Sequence, residues 1–419
     1  MSQPWKAPMP AEQFERMHDI LAAPIPIGLE AAMTYGVLKP MFEEFMPKEW
    51  KIHQFRSNAG IVVDTAPERT DDLTVMIIGH ADKIRMQVRS IGEDGKIWID
   101  SDSFLPQTLI GHEVTIFSEC SDTPGHYRQL NGATVEALGA IHFADAPTRT
   151  GERGIKATQL YLETHVYGEK RKAQIEALGI RPGDSVILNR PIKPGVFPDT
   201  FYGAYLDNGL GCFVAEEIAR LVSENPLKNI RVLFAFAAWE EIGRFGSRVF
   251  AGEMKPDVVI AVDVNHDFQA APGVGDRRFN PLTMTKGFTL SVGAIASEFL
   301  NTRIVEAANA AEIPYQRSVA GRDTGTDAMA GVLASVDAAA TSIGFPIRNM
   351  HTISESAHTS DVIASIHGIY EFLKQADKDK LSADDFRNNH PRLDASKPLE
   401  APRPDLDAKN DASGNGDKA

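Results

Sequence analysis

The stretch RVLFAFAAWEEIGRFGS (residues 231–247) joins a long apolar run to two adjacent acids. The apolar residues from Val232 to Trp239 predict a buried strand, because continuous runs of this length are typical of parallel sheets covered on both faces. Glu240 and Glu241 follow directly. Burying an unpaired carboxylate is costly, so the end of this strand requires a cation, a proton or another partner nearby.

The rest of the chain alternates between apolar runs and amphipathic segments, which indicates an α/β fold with a mostly parallel sheet covered by helices. Further buried strands are predicted at residues 73–80, 257–264 and 334–346. Amphipathic helices are predicted at residues 11–23, 28–46, 207–224, 299–313 and 361–375.

Residues 86–195 differ from this pattern. Short β-rich pieces are separated there by Gly, Asp and Asn, which predicts a small β domain inserted into the α/β domain. The α/β domain then consists of residues 1–85 and 196–385. Residues 386–419 contain too few apolar side chains to form a core, and we expect a disordered tail.

Composition excludes several classes of protein. The 419 residues carry a formal net charge of −14, which argues against nucleic acid or an anionic membrane as a partner. No apolar run is long enough to cross a bilayer, and residues 1–20 lack the features of a signal peptide. The two cysteines, Cys120 and Cys212, follow no metal-binding spacing. We therefore expect a cytoplasmic protein without a disulfide framework.

Histidines and acids follow the ends of four predicted strands, and one more acid opens a helix. Because the carboxyl ends of parallel strands meet at one edge of a sheet, we expect these side chains to lie close together. A lone His or Asp at such a place is usually a loop residue or a helix cap, so the prediction depends on their joint occurrence. The residues are His80, Asp82, Asp207, Glu240, Glu241, Asp263 and His351, with His358 as an alternative to His351.

Two histidines and three carboxylates suit a pair of divalent cations, because imidazole and carboxylate ligands favour zinc, cobalt or manganese over calcium. One carboxylate can bridge the two ions. Of Glu240 and Glu241, one would bind metal and the other would act as a general base, which requires the chain to bend between them. Asp82 is placed to accept the second ring N–H of His80.

Seven segments occur in the order seen in a known family: GHADKIRMQV (79–88), IRPGDSVIL (180–188), AYLDNGLGC (204–212), AAWEEIGRFGS (237–247), VVIAVDV (258–264), GTDA (325–328) and FPIRNMHTISE (345–355). Through them the chain resembles the tetrahedral aminopeptidases, also called deblocking or glutamyl aminopeptidases, which are dinuclear metallopeptidases. The resemblance implies a zinc-peptidase-like α/β domain with an inserted β domain used for assembly. It also implies a homo-oligomer, commonly a dodecamer.

The resemblance further implies two divalent ions per subunit, with zinc expected and cobalt or manganese as alternatives. His80 and Asp263 would bind one ion, Glu241 and His351 would bind the other, and Asp207 would bridge them. Glu240 would be the general base and Asp82 the acid that supports His80. These are the residues that the strand ends indicate independently.

The implied activity is hydrolysis of the N-terminal residue of short peptides by a metal-activated water. Lys83, Arg85, Trp239 and Asn208 depart from the family pattern, but none replaces an implied ligand. The first three lie beside the site in sequence and could reshape its pocket. An amidase or deacylase acting on a small non-peptide amide is therefore an alternative. A metal-free glycosidase and a non-catalytic scaffold with structural metals are more distant alternatives, and sensitivity to a chelator or an exchangeable water would argue against them.

Overall fold

The computed structural model describes residues 3–24, 26–55, 59–101, 103–120, 122–270 and 281–389. The strands are β1 (Lys51–Gln54), β2 (Gly60–Asp64), β3 (Leu73–His80), β4 (Met86–Ile91), β5 (Ile97–Asp100), β6 (Glu113–Glu119), β7 (Tyr127–Glu136), β8 (Tyr161–Glu163), β9 (Ser185–Leu188), β10 (Lys193–Pro194), β11 (Thr200–Gly203), β12 (Ile230–Ala237), β13 (Val258–His266), β14 (Phe288–Gly293), β15 (Tyr315–Ala320), β16 (Ala339–Ile347) and β17 (Glu355–His358).

The α-helices are α1 (Ala11–Ala22), α2 (Ala31–Met33), α3 (Lys39–Phe45), α4 (Ala146–Arg149), α5 (Arg171–Ala177), α6 (Leu206–Glu224), α7 (Phe245–Met254), α8 (Glu298–Ala310), α9 (Ala330–Leu333), α10 (Thr359–Asp379) and α11 (Ala383–Asn388). A π-helical segment, Thr34–Leu38, joins α2 to α3. The predicted helices at 11–23, 207–224 and 361–375 correspond to α1, α6 and α10.

An eight-stranded sheet in the order β1-β2-β12-β3-β13-β16-β14-β15 forms the centre of the α/β domain. Its four middle strands, β12, β3, β13 and β16, are mutually parallel. The α/β class is thereby confirmed, and the sheet is mixed, with four of its seven neighbouring strand pairs parallel. The hairpin of β1 and β2 pairs antiparallel with β12, and β14 runs antiparallel to β16.

The middle strands are apolar throughout because both faces of the sheet are covered. In β3, Val75 and Ile77 belong to the core shared with α6 and α10, whereas Met76 and Ile78 belong to a second core with α7 and α9. All four side chains are fully buried. This alternation explains why the continuous apolar runs in the sequence predict buried strands.

A closed barrel in the order β4-β5-β8-β7-β6-β9 lies within the predicted β-rich segment 86–195. It has a separate apolar core, to which Met86, Ile116, Val135 and Val186 contribute. The end of that segment does not join the barrel, because β10 pairs with β11, and β11 with β17, in a three-stranded sheet. This small sheet lies where the chain returns to the α/β domain.

The chain remains ordered beyond residue 385. The last helix, α11, ends at Asn388, and its Phe386 packs edge-on against Phe299 with ring centroids 5.2 Å apart. The remainder of the predicted tail, from residue 390, lies outside the described residues. In the part of the chain that the structure describes, no helix combines the length and the apolar character needed to cross a membrane.

Candidate metal centre and active site

The predicted site residues gather at the carboxyl edge of the parallel strands. His80 is the last residue of β3, and Asp263 lies near the end of β13. Glu240 and Glu241 follow β12, His351 follows β16, and Asp207 lies in the first turn of α6. Parallel strands place their carboxyl ends together, so residues distant in sequence meet here.

Two groups of possible metal ligands share one carboxylate. His80, Asp207 and Asp263 form the first group, and Asp207, Glu241 and His351 form the second. Within each group the ligand atoms all lie within 4.8 Å of one another. The Nε2 atom of His80 is 3.2 Å from one oxygen of Asp207, and the Nε2 atom of His351 is 3.3 Å from the other. Asp207 therefore belongs to both groups, with one carboxylate oxygen facing each histidine.

His358 does not take part in this site. It caps the N-terminus of α10, where its Nδ1 atom accepts a hydrogen bond from the Ser360 backbone N–H at 3.2 Å. The structure brings together the other histidine considered at this position, His351.

A bend after β12 brings both glutamates to the site. Trp239 has a φ of 61°, in the left-handed region, so the chain leaves the extended conformation immediately before Glu240. The Asp82 carboxylate holds this bend, because its two oxygens accept the backbone N–H groups of Glu240 and Glu241 at 3.0 and 3.1 Å. Asp82 also lies 3.5 Å from the Nδ1 atom of His80. It therefore positions both glutamates as well as the histidine.

Glu355 positions the backbone of two candidate ligands, a role that the sequence did not predict. Its buried carboxylate accepts the backbone N–H groups of Leu206, Asp207 and His351, at 2.6, 3.2 and 2.7 Å respectively. Burial and the nearby charge of Asp207 raise the pKa of Glu355 to about 8. The available signal was an acid four residues after His351 in the matching segment 345–355.

Asn208 explains one of the departures from the family pattern. Its side-chain amide donates to the carbonyl of Val262 at 2.8 Å and accepts the backbone N–H of Gly211 at 2.8 Å. Because Val262 directly precedes Asp263, this amide ties the start of α6 to the strand that carries another candidate ligand. Asn208 is therefore a structural link between two ligand-bearing elements.

The site is crowded with acids. Burial, together with the charges of Asp327 and Asp263, raises the pKa of Glu240 to about 9 despite the opposing effect of His80. Burial and the charge of Asp207 likewise raise the pKa of Asp263 to about 8. Burial opposes ionisation of Asp207, but hydrogen bonds from His351 and His80 lower its pKa below the usual range. Ionising all of these acids together requires additional positive charge.

The residues present fit divalent cations. Glu241 has a pKa raised well above its usual value by burial and by Asp207, and among the described residues its buried Oε1 atom has no hydrogen-bond partner. A cation satisfies such an oxygen and neutralises the repulsion between the acids. Imidazole nitrogen and carboxylate oxygen together match zinc, cobalt or manganese better than calcium.

A cavity of about 390 Å³ opens onto these ligands. Its walls include Phe268, Val319, Met350 and Asp323. A cavity of this size is suited to a small ligand or to the end of a peptide.

Lys83, Arg85 and Trp239 are not among the residues that line this cavity, so the expectation that they reshape the pocket is not supported. Lys83 is buried, and its ammonium group donates to the carbonyls of Leu21 and Ala23 at 2.7 and 2.6 Å. It therefore links the end of α1 to the segment that follows β3. Trp239 packs against the core beside α7.

Comparison with known proteins identifies the family of this chain. Residues 60–367 match the family model described as M42 glutamyl aminopeptidase. The chain is 28% identical over 307 residues to a lysyl aminopeptidase of Pyrococcus furiosus, covering 72% of this chain and 83% of that protein.

Solved structures with the same fold include several aminopeptidases. One is the TET aminopeptidase of a marine sediment Thaumarchaeota archaeon, with a TM-score of 0.76, 20% identity, and coverage of 90% of this chain and 99% of that chain. Another is the TET1 peptidase of Pyrococcus horikoshii, with a TM-score of 0.69, 18% identity, and coverage of 86% and 99%. That peptidase can assemble into a tetrahedron or a large octahedral shell. Since the family model spans most of the chain, this protein belongs to the M42 glutamyl aminopeptidase family of metal-dependent aminopeptidases.

Proposed function

We propose that this aminopeptidase removes the N-terminal residue of short peptides at a centre of two divalent cations. The observation that carries the proposal is the pair of ligand groups that share Asp207. His80 and Asp263 would hold one cation, and Glu241 and His351 would hold the other. Zinc is the first candidate, with cobalt and manganese accepting the same ligands. Bound cations of this kind supply Lewis-acid polarisation of the scissile carbonyl and of the attacking water.

Glu240 is the proposed general base. It lines the cavity beside the ligands but belongs to neither ligand group. Its carboxylate lies 3.9 Å from the Nε2 atom of His80, beside the first group of candidate ligands. With cations bound, Glu240 would accept a proton from the attacking water and pass it to the leaving nitrogen of the peptide. Asp82 keeps this carboxylate in place through the backbone N–H of Glu240.

Replacing the proposed base tests the mechanism. Glu240→Gln should retain the metal content of the wild type, because Glu240 is not a ligand, and should lower kcat by about 10²- to 10⁴-fold. Elemental analysis and aminoacyl-anilide hydrolysis measure the two quantities. Glu253→Gln, an exposed change on α7, is the matched control and should alter neither. A Glu240→Gln enzyme with most of its kcat would remove this residue from the mechanism.

Removing the metal tests the function itself. A chelator should abolish hydrolysis of aminoacyl-anilides, and added zinc, cobalt or manganese should restore it. Peptide hydrolysis is favoured over the deacylase alternative because the residues that motivated that alternative do not line the cavity. Cleavage of N-acyl amides in preference to aminoacyl-anilides would reverse this choice.

We further propose a homo-oligomer, with a dodecamer as the first candidate and the barrel as the part used for assembly. Two large apolar side chains on the barrel segment, Phe143 and Tyr167, are 91% and 84% exposed, and an interface between subunits would cover them. The assemblies named for the TET1 peptidase support the same idea. Light scattering of the purified protein measures the mass directly, and a monomer would refute the proposal. A cytoplasmic location stays a prediction.

A further inference from the structure

One residue of the cavity wall, Asp323, is part of an ion pair. The Nη1 atom of Arg244 is 2.8 and 2.9 Å from the two carboxylate oxygens of Asp323. Arg244 lies at the start of α7, just after the two glutamates, and Asp323 lies in the loop after β15. The pair therefore connects the element that carries Glu240 to a loop that forms part of the pocket.

Both members of this pair make further contacts, and the Asp323 side chain is 45% exposed. Asp323 also accepts the backbone N–H of Gly325 at 2.9 Å, so its oxygens already have strong donors. The Nε atom of Arg244 lies 3.8 Å from the carboxylate of Glu240, and the Arg244 side chain is 22% exposed. The positive charge of Arg244 is thus shared between Asp323 and the proposed base.

The charged residues around the cavity connect this ion pair to the choice of substrate. Within the described ranges, Asp323 is the one acid on the cavity wall outside the catalytic group of acids, and neither Lys nor Arg lines the wall. The other walls near Asp323 are neutral, with Val319, Met350 and Thr324 among them. Asp323 and the candidate ligands line the same cavity, and the inference places the N-terminal side chain of the peptide against the part of the wall that contains Asp323.

We propose that Arg244 masks Asp323, so that the pocket selects neutral N-terminal residues over lysine and over glutamate. Lysine is not favoured because the carboxylate that would pair with its ammonium group is already paired. Glutamate is not favoured because the guanidinium group that would pair with its carboxylate is already paired, and neither Lys nor Arg lines the described wall. This inference rests on the proposed aminopeptidase function and names the substrate class of the same site.

Matched substrates test the masking directly. Lysyl- and norleucyl-anilides differ by the terminal ammonium group, and glutamyl- and glutaminyl-anilides differ by one charge. In the metal-loaded wild type, kcat/KM should favour norleucine over lysine and glutamine over glutamate. Arg244→Met exposes Asp323 and should raise the lysine-to-norleucine ratio by about twofold to fivefold, as expected for a partly exposed ion pair.

Asp323→Asn is the complementary variant. It frees the guanidinium group and should raise the glutamate-to-glutamine ratio by about the same factor, without raising the ratio for lysine. The double variant, Arg244→Met with Asp323→Asn, should return both ratios to the wild-type values. Each result is a ratio of kcat/KM values for two substrates. A loss of kcat that affects both substrates equally, such as one caused by losing the contact between Arg244 and Glu240, therefore does not change the ratio.

Binding gives a second readout that does not depend on turnover. Calorimetric titration of the metal-free proteins with free lysine and norleucine should show the same change in preference in Arg244→Met. A lysine ratio that rises equally in the single and double variants, or that falls in Asp323→Asn, would overturn the masking. A wild type that hydrolyses aminoacyl-anilides but prefers lysine or glutamate would also overturn it. A wild type that hydrolyses none would overturn the aminopeptidase proposal on which it rests.

Discussion

Replacing Glu355 with Gln should lower both the stability of the protein and its affinity for metal, whereas a comparable change away from the site should lower stability alone. The Glu355 carboxylate is 2% exposed and accepts three backbone N–H groups, two on one oxygen and one on the other. Glutamine offers a single acceptor oxygen. If that oxygen faces Leu206 and Asp207, the amide NH₂ group meets the N–H of His351, and donor faces donor. The segment carrying His351 then loses its anchor.

The magnitude follows from these contacts. One hydrogen bond is lost and a buried N–H group is left facing another donor, so the free energy of unfolding should fall by about 2 kcal/mol. Displacing the segments that carry Asp207 and His351 should also weaken metal binding by about 10- to 100-fold. Urea unfolding of the metal-free protein at about pH 6, below the Glu355 pKa, measures the first quantity without the cost of burying an ionised carboxylate, and calorimetric titration with zinc measures the second.

Asp361→Asn is the matched control. Asp361 is 1% exposed and accepts the backbone N–H groups of Thr285 and Gly287 at 2.6 and 2.8 Å, away from the candidate ligands. It should cost a similar amount of stability and leave zinc affinity unchanged. If Glu355→Gln binds zinc as the wild type does while losing as much stability as Asp361→Asn, then Glu355 is only a structural residue and the reasoning is refuted.

Two further predictions concern the sheet that carries the site. A Cβ atom on Gly79 would lie 2.5 Å from the backbone of Gly211 in α6, so Gly79→Ala should lower the free energy of unfolding by about 1–3 kcal/mol and weaken zinc binding. The control Gly252→Ala, which has open space around its Cβ position, should do neither. Equal urea midpoints for the two variants would contradict the close packing. Burial opposes ionisation of Asp64, but hydrogen bonds from His53 and Arg231 lower its pKa from 3.8 to about 2. Because this folded-state pKa is depressed, the stabilisation of about 2 kcal/mol should be present above about pH 4 and be lost as the pH falls towards 2. If the difference in unfolding free energy between wild type and Asp64→Asn stays constant over that range, the prediction is wrong.

The strands and their terminal residues were predictable because their signals are local. A strand that is covered on both faces, such as β3 or β12, is a continuous apolar segment of the sequence. The residue at the end of such a run is therefore identified with it, which is how His80 and Glu240 could be chosen. The rule that carboxyl ends of parallel strands meet then predicted their convergence.

Other features depended on contacts between segments that the sequence does not connect. Glu355 and Leu206 are 149 residues apart, and no local pattern indicates that one supports the other. Lys83 stands beside the site in sequence, yet its side chain runs away from the cavity to the carbonyls of Leu21 and Ala23. The direction of a side chain at a bend is set by what packs against it.

The sequence by itself determined the α/β class, the β-rich insertion and the identity of the candidate ligands, since each depends on residue type and spacing along the chain. Tertiary structure alone decided that the sheet is mixed and that Asp82 holds both glutamates. It also decided that Arg244 pairs with Asp323, a residue of the cavity wall. These depend on distances between remote backbone segments, and such distances exist only once the chain has folded.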